Sequence, residues 1–227
     1  ISGDDAFGAG AYAVGATLSN CVVVNNEAFQ VGGGVYGGTV HRSKFAQNYA
    51  LFGGGAADAR LHHCFLHSNG AQGGAAANGC DMVNCLVVQN GAVVNAGGAQ
   101  GGTLIACTIA HNQAGSGGVG AGGGGVNNST TINCIVYFNT PDNSTNSEHL
   151  FTCTEPLAPG PGNLDADPLF YAPLQTNYHL LYGSPCIDSG SNLLGVADDD
   201  LDQTPRPLDG NFDGIAAWDM GCYEYDP

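Results

Sequence analysis

The stretch that decides the fold is "LSNCVVVNN", which runs from Leu18 to Asn26 and returns five times in altered form. The first five copies start 22, 21, 21 and 22 residues apart, and the sixth follows after 27. Repetition at a short fixed period indicates a solenoid, in which each repeat packs on its neighbours. The later copies are "VHRSKFAQN" from Val40, "LHHCFLHSN" from Leu61, "MVNCLVVQN" from Met82, "LIACTIAHN" from Leu104 and "TINCIVYFN" from Thr131.

Each copy has positions that suit a core. The opening position is nearly always apolar, the fourth is small, and the sixth is apolar every time. Alternation predicts that the fourth and sixth face inward on a β-strand, so a bend must turn the opening position inward as well. We expect the cysteines of the fourth position to form a buried ladder of free thiols. The fourth position is Cys21, Ser43, Cys64, Cys85, Cys107 and Cys134, and the sixth is Val23, Phe45, Leu66, Val87, Ile109 and Val136.

Each copy ends in asparagine, which tolerates the left-handed backbone of a tight turn and can stack into a hydrogen-bonded ladder. Glycine-rich pieces such as "VGGGVYGG" at 31–38 then supply a second short strand. The pattern predicts an all-β parallel β-helix of about six rungs of 21–22 residues. We expect one continuous domain, with rungs over 1–139 and acidic closing coils and a cap over 140–227. The ladder asparagines are Asn26, Asn48, Asn69, Asn90, Asn112 and Asn139.

The rung pattern resembles right-handed parallel β-helix proteins, including the polymorphic outer-membrane-protein repeats of bacteria. The tail segments "GNLDADPLFYAPLQTNYHLLYGSPCIDSGSN" at 162–192 and "DLDQTPRPLDGNFDGIAAWDMGCYEY" at 200–225 resemble the closing region of bacterial cell-surface β-helix proteins of the choice-of-anchor type. The resemblance implies a right-handed coil and a place on the cell surface. It implies no single activity.

The charge of the chain excludes some partners. Twenty Asp and Glu face four Lys and Arg, which gives a net charge of −16 and makes nucleic acid or an anionic membrane a poor partner. No apolar run is long enough to span a bilayer. Few lysines and many glycines lead us to expect an extracellular, secreted protein. Because the chain starts at Ile1 and not at Met, we also expect that an upstream segment has been removed or left out. Three Asn-x-Ser/Thr sequons, at Asn127, Asn128 and Asn143, are possible glycosylation sites.

The first residues match the second half of a rung, since "FGAGAYAVGAT" at 7–17 parallels "VGGGVYGGT" at 31–39. The chain is therefore expected to enter the solenoid in mid-coil without a capping element. An open coil leaves backbone groups unpaired. Either an upstream domain covers it or another molecule does, and the second alternative would make the protein a filament or lattice subunit.

Seven of the eleven Lys, Arg and His residues fall between 41 and 67. One interpretation is a site for acidic polysaccharide, and lyase chemistry there would use Lys44, Arg42 and His63 as base and carboxylate-neutralising groups. The alternative is a surface patch that pairs with acids of the tail or of a neighbouring molecule. Short coils without cleft-forming loops favour the alternative. The patch is His41, Arg42, Lys44, Arg60, His62, His63 and His67.

The outward positions beside the cysteine column form an apolar strip, which is expected to be covered by the tail or by a partner. If a partner covers the strip, the strip is an assembly face, and this is the more informative of the two alternatives. The strip is Val22, Val24, Phe65, Leu86, Val88, Ile135 and Tyr137.

Two features of the tail suggest ligands or cross-links. "DGNFDG" at 209–214 matches the start of a calcium loop, with Asp209, Asn211 and Asp213 as oxygen ligands. The twelfth position is Met220, so Asp219 or Glu224 would have to complete a structural Ca²⁺ site. The alternative is an acidic turn whose side chains cap its own backbone. A Cys186–Cys222 disulfide is also possible.

These patterns together favour a non-catalytic structural protein of the cell surface, adhesive or self-assembling, with no required cofactor. The competing hypothesis is a carbohydrate-binding or carbohydrate-active β-helix that uses the basic patch at 41–67.

Overall fold

The chain folds into a stack of seven coils, each of which adds one short strand to each of three parallel sheets. The computed structural model describes residues 7–115, 122–192 and 197–227. Equivalent residues of successive coils lie side by side, as Leu18 does with Val40 and Val40 with Leu61. This confirms the all-β parallel solenoid that the repeat predicts, with one coil more than the six copies visible in the sequence.

The three long sheets follow one another around each coil. Sheet one contains Ala11–Tyr12, Val35–Tyr36, Ala56–Ala57, Ala77–Asn78, Ala99–Gln100, Val126–Asn127 and Ser144–Thr145. Sheet two contains Thr17–Ser19, Thr39–His41, Arg60–His62, Asp81–Val83, Thr103–Ile105, Thr130–Ile132 and Glu148–Leu150. Sheet three contains Val22–Val24, Lys44–Ala46, Phe65–His67, Leu86–Val88, Thr108–Ala110, Ile135–Tyr137 and Cys153–Thr154. A shorter sheet four contains Tyr49–Phe52, Gly70–Gly73, Gly91–Asn95 and Gln113–Ala114.

Sheets two and three meet at the predicted bend, where one residue of every coil adopts a left-handed backbone with φ between 46° and 55°. Asparagine suits this conformation, but four coils place other residues there. Pairing with the next coil supports them, since the Arg42 N–H donates to His62 O at 2.9 Å and the His63 N–H to Val83 O at 3.0 Å. The bend residues are Asn20, Arg42, His63, Asn84, Ala106, Asn133 and Phe151.

The predicted core columns lie inside the solenoid. Residues of the opening position, such as Leu61 and Met82, pack with the cysteine column and with Phe45 and Leu66 in one continuous cluster. Burial of a leucine-sized side chain contributes about 1.5–3 kcal/mol to stability, so the stacked columns supply the main driving force for coiling.

The asparagine ladder is also present, and each asparagine bonds to the next. Asn69 donates to Asn90 Oδ1 twice, from its side-chain Nδ2 at 3.0 Å and from its backbone N–H at 2.9 Å. The ladder runs one step past the sequence repeat, because Asn139 Nδ2 donates to Asn143 Oδ1 at 3.1 Å. All three long sheets likewise continue to Thr145, Leu150 and Thr154, so regular coiling extends beyond residue 139.

The tail first closes the end of the stack and then returns along its side. The loop after Thr154 pairs with the seventh coil, where Thr154 N–H donates to Leu164 O at 2.9 Å. An antiparallel pair of strands, Phe170–Ala172 and Asn177–Leu180, flanks the 3₁₀ turn Pro173–Gln175. Residues from these strands and from the last part of the tail then pack on the outer side of sheet three in a second apolar cluster.

Arg206 is the only Lys or Arg residue of the tail and is buried at 6% exposure. Its Nε lies 3.0 Å from Glu224 Oε2 as an ion pair, though without the alignment of a hydrogen bond. Its Nη2 donates to Gly221 O at 2.8 Å and its Nη1 to Asn84 Oδ1 at 3.2 Å. The guanidinium therefore joins the tail to a bend residue of the fourth coil.

Candidate functional site

The basic patch divides into two rows along the solenoid. On sheet two, the His41 and His62 rings stack with centroids 4.9 Å apart, as their paired positions predict. On sheet three, the Lys44 Nζ lies 5.4 Å from the centroid of the Phe65 ring. The His67 ring stacks on the same phenyl group at 4.7 Å.

Two histidines of the patch, His62 and His67, have a lowered pKa. Burial lowers the pKa of His62, and the neighbouring His41 and His63 lower it further. Burial and the charge of Lys44 likewise lower the pKa of His67. The arginine and lysine residues of the patch, Arg42, Lys44 and Arg60, are exposed on the surface.

Two of the three residues proposed for lyase chemistry are already paired with the tail. Arg42 Nη2 lies 2.8 Å from Asp199 Oδ2, and His63 Nε2 lies 3.0 Å from Asp199 Oδ1. Burial raises the pKa of Asp199, but the hydrogen bond from Arg42 and the charges of His63 and Arg42 outweigh it and lower the pKa overall. This is the alternative in which the patch pairs with acids of the tail, and it leaves Lys44 without Arg42 or His63 as a free partner in catalysis.

A polar groove lies at the bend between sheets one and two. Its volume is about 430 Å³, and Asp58, Arg60 and Asp81 line it together with the hydroxyls of Thr17 and Thr39. Gly15, Gly38 and Gly79 are among its lining residues, and close packing of the backbone requires glycine at some of these positions. Gly38, for example, has φ +79°, and an added Cβ would lie 2.3 Å from Ala13 O. Of the basic patch, Arg60 alone lines this groove.

The apolar strip is mostly covered by the tail, so the assembly face predicted there needs correction. Leu86, Val88, Ile135 and Tyr137 are buried, and they pack against tail residues that include Tyr178, Met220 and Tyr223. Phe65 is half-buried at the border of this contact. Val22 and Val24, which belong to the first coil, remain exposed at 70% and 39%.

The acidic turn at 209–214 makes the hydrogen bonds of a self-capped loop. Asp209 Oδ1 and Oδ2 accept the Asp213 and Gly214 N–H groups, and Asn211 Oδ1 accepts the Asp213 N–H. Asp219 is buried away from this turn and accepts the Asp188 and Tyr225 N–H groups. Within 7–115, 122–192 and 197–227, no group of three or more His, Cys, Asp or Glu side chains is placed to hold a metal ion. Calcium binding at 209, 211 and 213 stays a prediction.

All nine cysteines lie in the described residues and carry free thiols. The ladder is visible in the hydrogen bonds from the Cys64 N–H to Cys85 Sγ and from the Cys85 N–H to Cys107 Sγ, each 3.4 Å long. Burial raises the pKa of the Cys80 thiol to about 12 and raises that of Cys222 as well. The Cys186–Cys222 disulfide is absent, and the Cys186 thiol lies beside Cys153 whereas the Cys222 thiol lies beside Thr108.

The three sequons differ in exposure. Asn128 lies at a bend and is exposed. Asn127 is buried at 6% and Asn143 at 8%, and Asn143 Nδ2 donates to Glu155 O at 2.8 Å. Of the three, Asn128 alone presents its side chain to solvent, so the fold favours Asn128 over Asn127 and Asn143, and glycosylation stays a prediction.

The seventh coil contains two residues that the sequence pattern did not single out. Ser144 and His149 occupy the inward columns of Val126 and Thr131, each 18 residues later. Ser144 Oγ lies 2.7 Å from His149 Nε2, beside a cavity of about 230 Å³. Neither residue resembles the one that precedes it in its column, so the repeat gave no signal for this pair.

Comparison with known proteins gives no relative from which a function could be transferred: no family model, curated protein or solved structure matches the chain. The resemblance to bacterial cell-surface β-helix proteins stays a prediction. Among the described residues, no helix combines the length and apolar character needed to cross a membrane.

Proposed function

We propose that this protein is a structural component of the cell exterior that associates through the open end of its first coil. The observation that supports this is the edge of that coil, with which no other strand of the described residues pairs. In sheets two and three, the backbone N–H groups point to the preceding coil, as Thr39 donates to Ala16 O and Lys44 donates to Cys21 O. The equivalent Thr17 and Val22 N–H groups have no strand before them in the described part of the chain.

The side chains around this edge add an apolar border. Six large hydrophobic side chains of residues 7–29 are between 38% and 70% exposed, whereas the equivalent strip on later coils is covered by the tail. An edge with free donors and exposed apolar side chains is a template for pairing with another strand. We expect a second copy to dock there. The six are Phe7, Tyr12, Val14, Val22, Val24 and Phe29.

The test is association of the native protein, measured by analytical ultracentrifugation across a concentration series. Val22→Pro removes the Val22 N–H donor from the edge, and proline is tolerated where that group faces outward. We expect self-association of the wild type, which Val22→Pro abolishes with little change in melting temperature. Val22→Thr keeps the donor and serves as the control. A wild type that stays monomeric at all concentrations, or a proline variant that associates normally, would contradict the proposal.

A second function, carbohydrate binding, is favoured by the groove around Arg60. Hydroxyl, carboxylate and guanidinium groups converge there, and such groups fix the orientation of polyhydroxylated ligands by hydrogen bonding. We expect Arg60→Ala to weaken glycan binding measured on an array, while Lys44→Ala on the neighbouring sheet does not. Equal loss in both variants would indicate a charge effect of the whole patch instead.

A further inference from the structure

The seventh coil ends in a chain of hydrogen bonds whose direction can be assigned. Thr152 Oγ1 donates to Leu150 O at 3.1 Å, because a carbonyl oxygen can only accept. Thr131 Oγ1 lies 3.0 Å from Thr152 Oγ1, which has already given its proton, so the Thr131 hydroxyl donates to it. Thr131 Oγ1 must then accept from His149 Nδ1, 2.7 Å away. This assigns the imidazole tautomer from the network.

The tautomer leaves His149 Nε2 without a proton, facing the Ser144 hydroxyl at 2.7 Å. Ser144 Oγ therefore donates to Nε2, which is the arrangement that a histidine needs to act as general base toward a serine nucleophile. Burial lowers the pKa of His149 and keeps the ring neutral at physiological pH. Thr131 holds the ring in place from the other side, as the orienting member of a triad does.

The pair opens on a cavity at the end of the stack. Ser144 and His149 both line it, with Asn146, Ser147 and Glu155 among the other lining residues. Ser144 is half-buried while His149 is 5% exposed, so the hydroxyl is the more accessible of the two groups. A ligand in this cavity would meet Ser144 with the histidine behind it.

Two backbone donors face the same end. In sheet one, the Val126 N–H donates to Asn143 O at 3.0 Å and the Asn128 N–H donates to Thr145 O at 3.1 Å, each toward the next coil. The equivalent amides of the seventh coil belong to Ser144 and Asn146, and no further strand of sheet one lies beyond them in the described residues. Free N–H groups beside a nucleophile are the donors that stabilise a developing oxyanion.

From this geometry we propose that Ser144 and His149 form a nucleophilic dyad, oriented by Thr131, that hydrolyses esters of small uncharged acyl groups. Ser144 Oγ bonds to the acyl carbon while its proton passes to His149 Nε2. The ester C–O bond then breaks, and the leaving alcohol takes that proton. Water next gives a proton to Nε2 and bonds to the acyl carbon, after which Ser144 Oγ leaves, recovers the proton and releases a carboxylic acid.

The volume of the cavity and the charge of its lining indicate which acyl groups it accepts. At about 230 Å³ it is smaller than the roughly 300–1,000 Å³ of pockets that hold drug-sized ligands, so a short acyl group fits best. Glu155 lines the cavity and accepts a hydrogen bond from the Tyr137 hydroxyl at 3.1 Å. Its carboxylate disfavours acyl groups that carry a negative charge. The inference goes beyond the proposed structural role and does not depend on it.

The experiment uses the full chain and a fluorophosphonate probe, with peptide mapping of the labelled serine by mass spectrometry. We expect a label on Ser144 and none on Ser147, which lines the same cavity but whose hydroxyl donates to Thr145 O. Ser144→Ala should lose the label, and His149→Gln should slow labelling by about 10²-fold or more, the usual contribution of a general base. No label on Ser144 in the wild type, or full labelling in His149→Gln, would overturn the proposal.

Variants of Thr131 test whether this residue orients His149, because a purely structural role of Thr131 would not change the rate at which Ser144 is labelled. Thr131→Val removes the acceptor of the His149 Nδ1 proton, and we expect labelling about tenfold slower, which corresponds to about 1.4 kcal/mol. Thr131→Ser restores the hydroxyl and should restore the rate. Because the pKa of His149 is lowered, labelling should reach its plateau by pH 7. Hydrolysis of p-nitrophenyl acetate should exceed that of the anionic p-nitrophenyl succinate, and the reverse order would contradict the role of Glu155.

Discussion

The asparagine ladder allows a sharp test, because one side chain in its middle makes five hydrogen bonds. Asn90 Oδ1 accepts the backbone and side-chain N–H groups of Asn69 at 2.9 and 3.0 Å. Asn90 Nδ2 donates to Leu66 O, Val88 O and Asn112 Oδ1 at 3.1, 3.0 and 2.9 Å. Asn90→Ala removes all five and leaves the Asn69 N–H buried without an acceptor.

The expected cost follows from these bonds. The Asn90 Nδ2 has two protons for its three acceptors, so two of these contacts share one proton and count as one bond. A buried donor left unpaired costs about 1–3 kcal/mol, and each of the other three bonds contributes about 0.5–1 kcal/mol net. We therefore expect Asn90→Ala to lower the free energy of unfolding by about 2.5–6 kcal/mol.

Asn26 is the matched control at the open end of the same ladder. Its Nδ2 donates to Val24 O and Asn48 Oδ1, and no donor to Asn26 Oδ1 is present in the described residues. Asn26→Ala leaves no buried group unpaired and should cost about 1 kcal/mol or less. Urea denaturation followed by circular dichroism measures both. Costs within about 1 kcal/mol of each other would refute the reasoning, since ladder position would then have no effect.

Three further predictions concern the tail. Leu86→Asp places a charge under the tail and should lower the melting temperature sharply, whereas Val93→Asp, at a position 59% exposed, should change it little in the same scan. Burial and the Glu224 charge raise the pKa of Asp219 to about 8, so the folded chain binds a proton that the unfolded chain releases between about pH 4 and 8. Stability attributable to this carboxyl falls as pH rises through that window, and Asp219→Asn should flatten the slope of unfolding free energy against pH; an unchanged slope would contradict the shift. Calorimetry with Ca²⁺ should give binding that Asp209→Ala abolishes, and the absence of heat would end the calcium prediction.

The fold could be predicted well because its determinants recur. Columns such as Cys64, Cys85 and Cys107 face a common axis, so chemical similarity at a fixed period reveals which residues are buried. The seventh coil could not be found in this way. Its columns hold Ser144, His149 and Thr154, which share no chemistry with the residues they follow, and only backbone pairing assigns them to the stack.

The sequence predicted that either the tail or a partner molecule covers the apolar strip, and it did not distinguish between the two. Which residues reach Leu86 or Ile135 depends on the path of a chain without a repeat, and local pattern does not determine that path. The pairing of Asp199 with Arg42 and His63 is of the same kind, because it joins residues more than 130 positions apart. The basic patch was visible in the sequence, whereas its partner was not.

The separation between Asp199 and Arg42, 157 residues, also has a consequence for the order of folding. Coils form from contacts about one repeat apart, which need little loop closure, whereas the tail can dock only on coils that already exist. During synthesis Leu86, Val88 and Ile135 therefore stay uncovered until the tail residues that pack on them, such as Tyr178 and Met220, have been made. That interval is when the chain is most exposed to misassembly, and docking of the tail ends it by covering these residues.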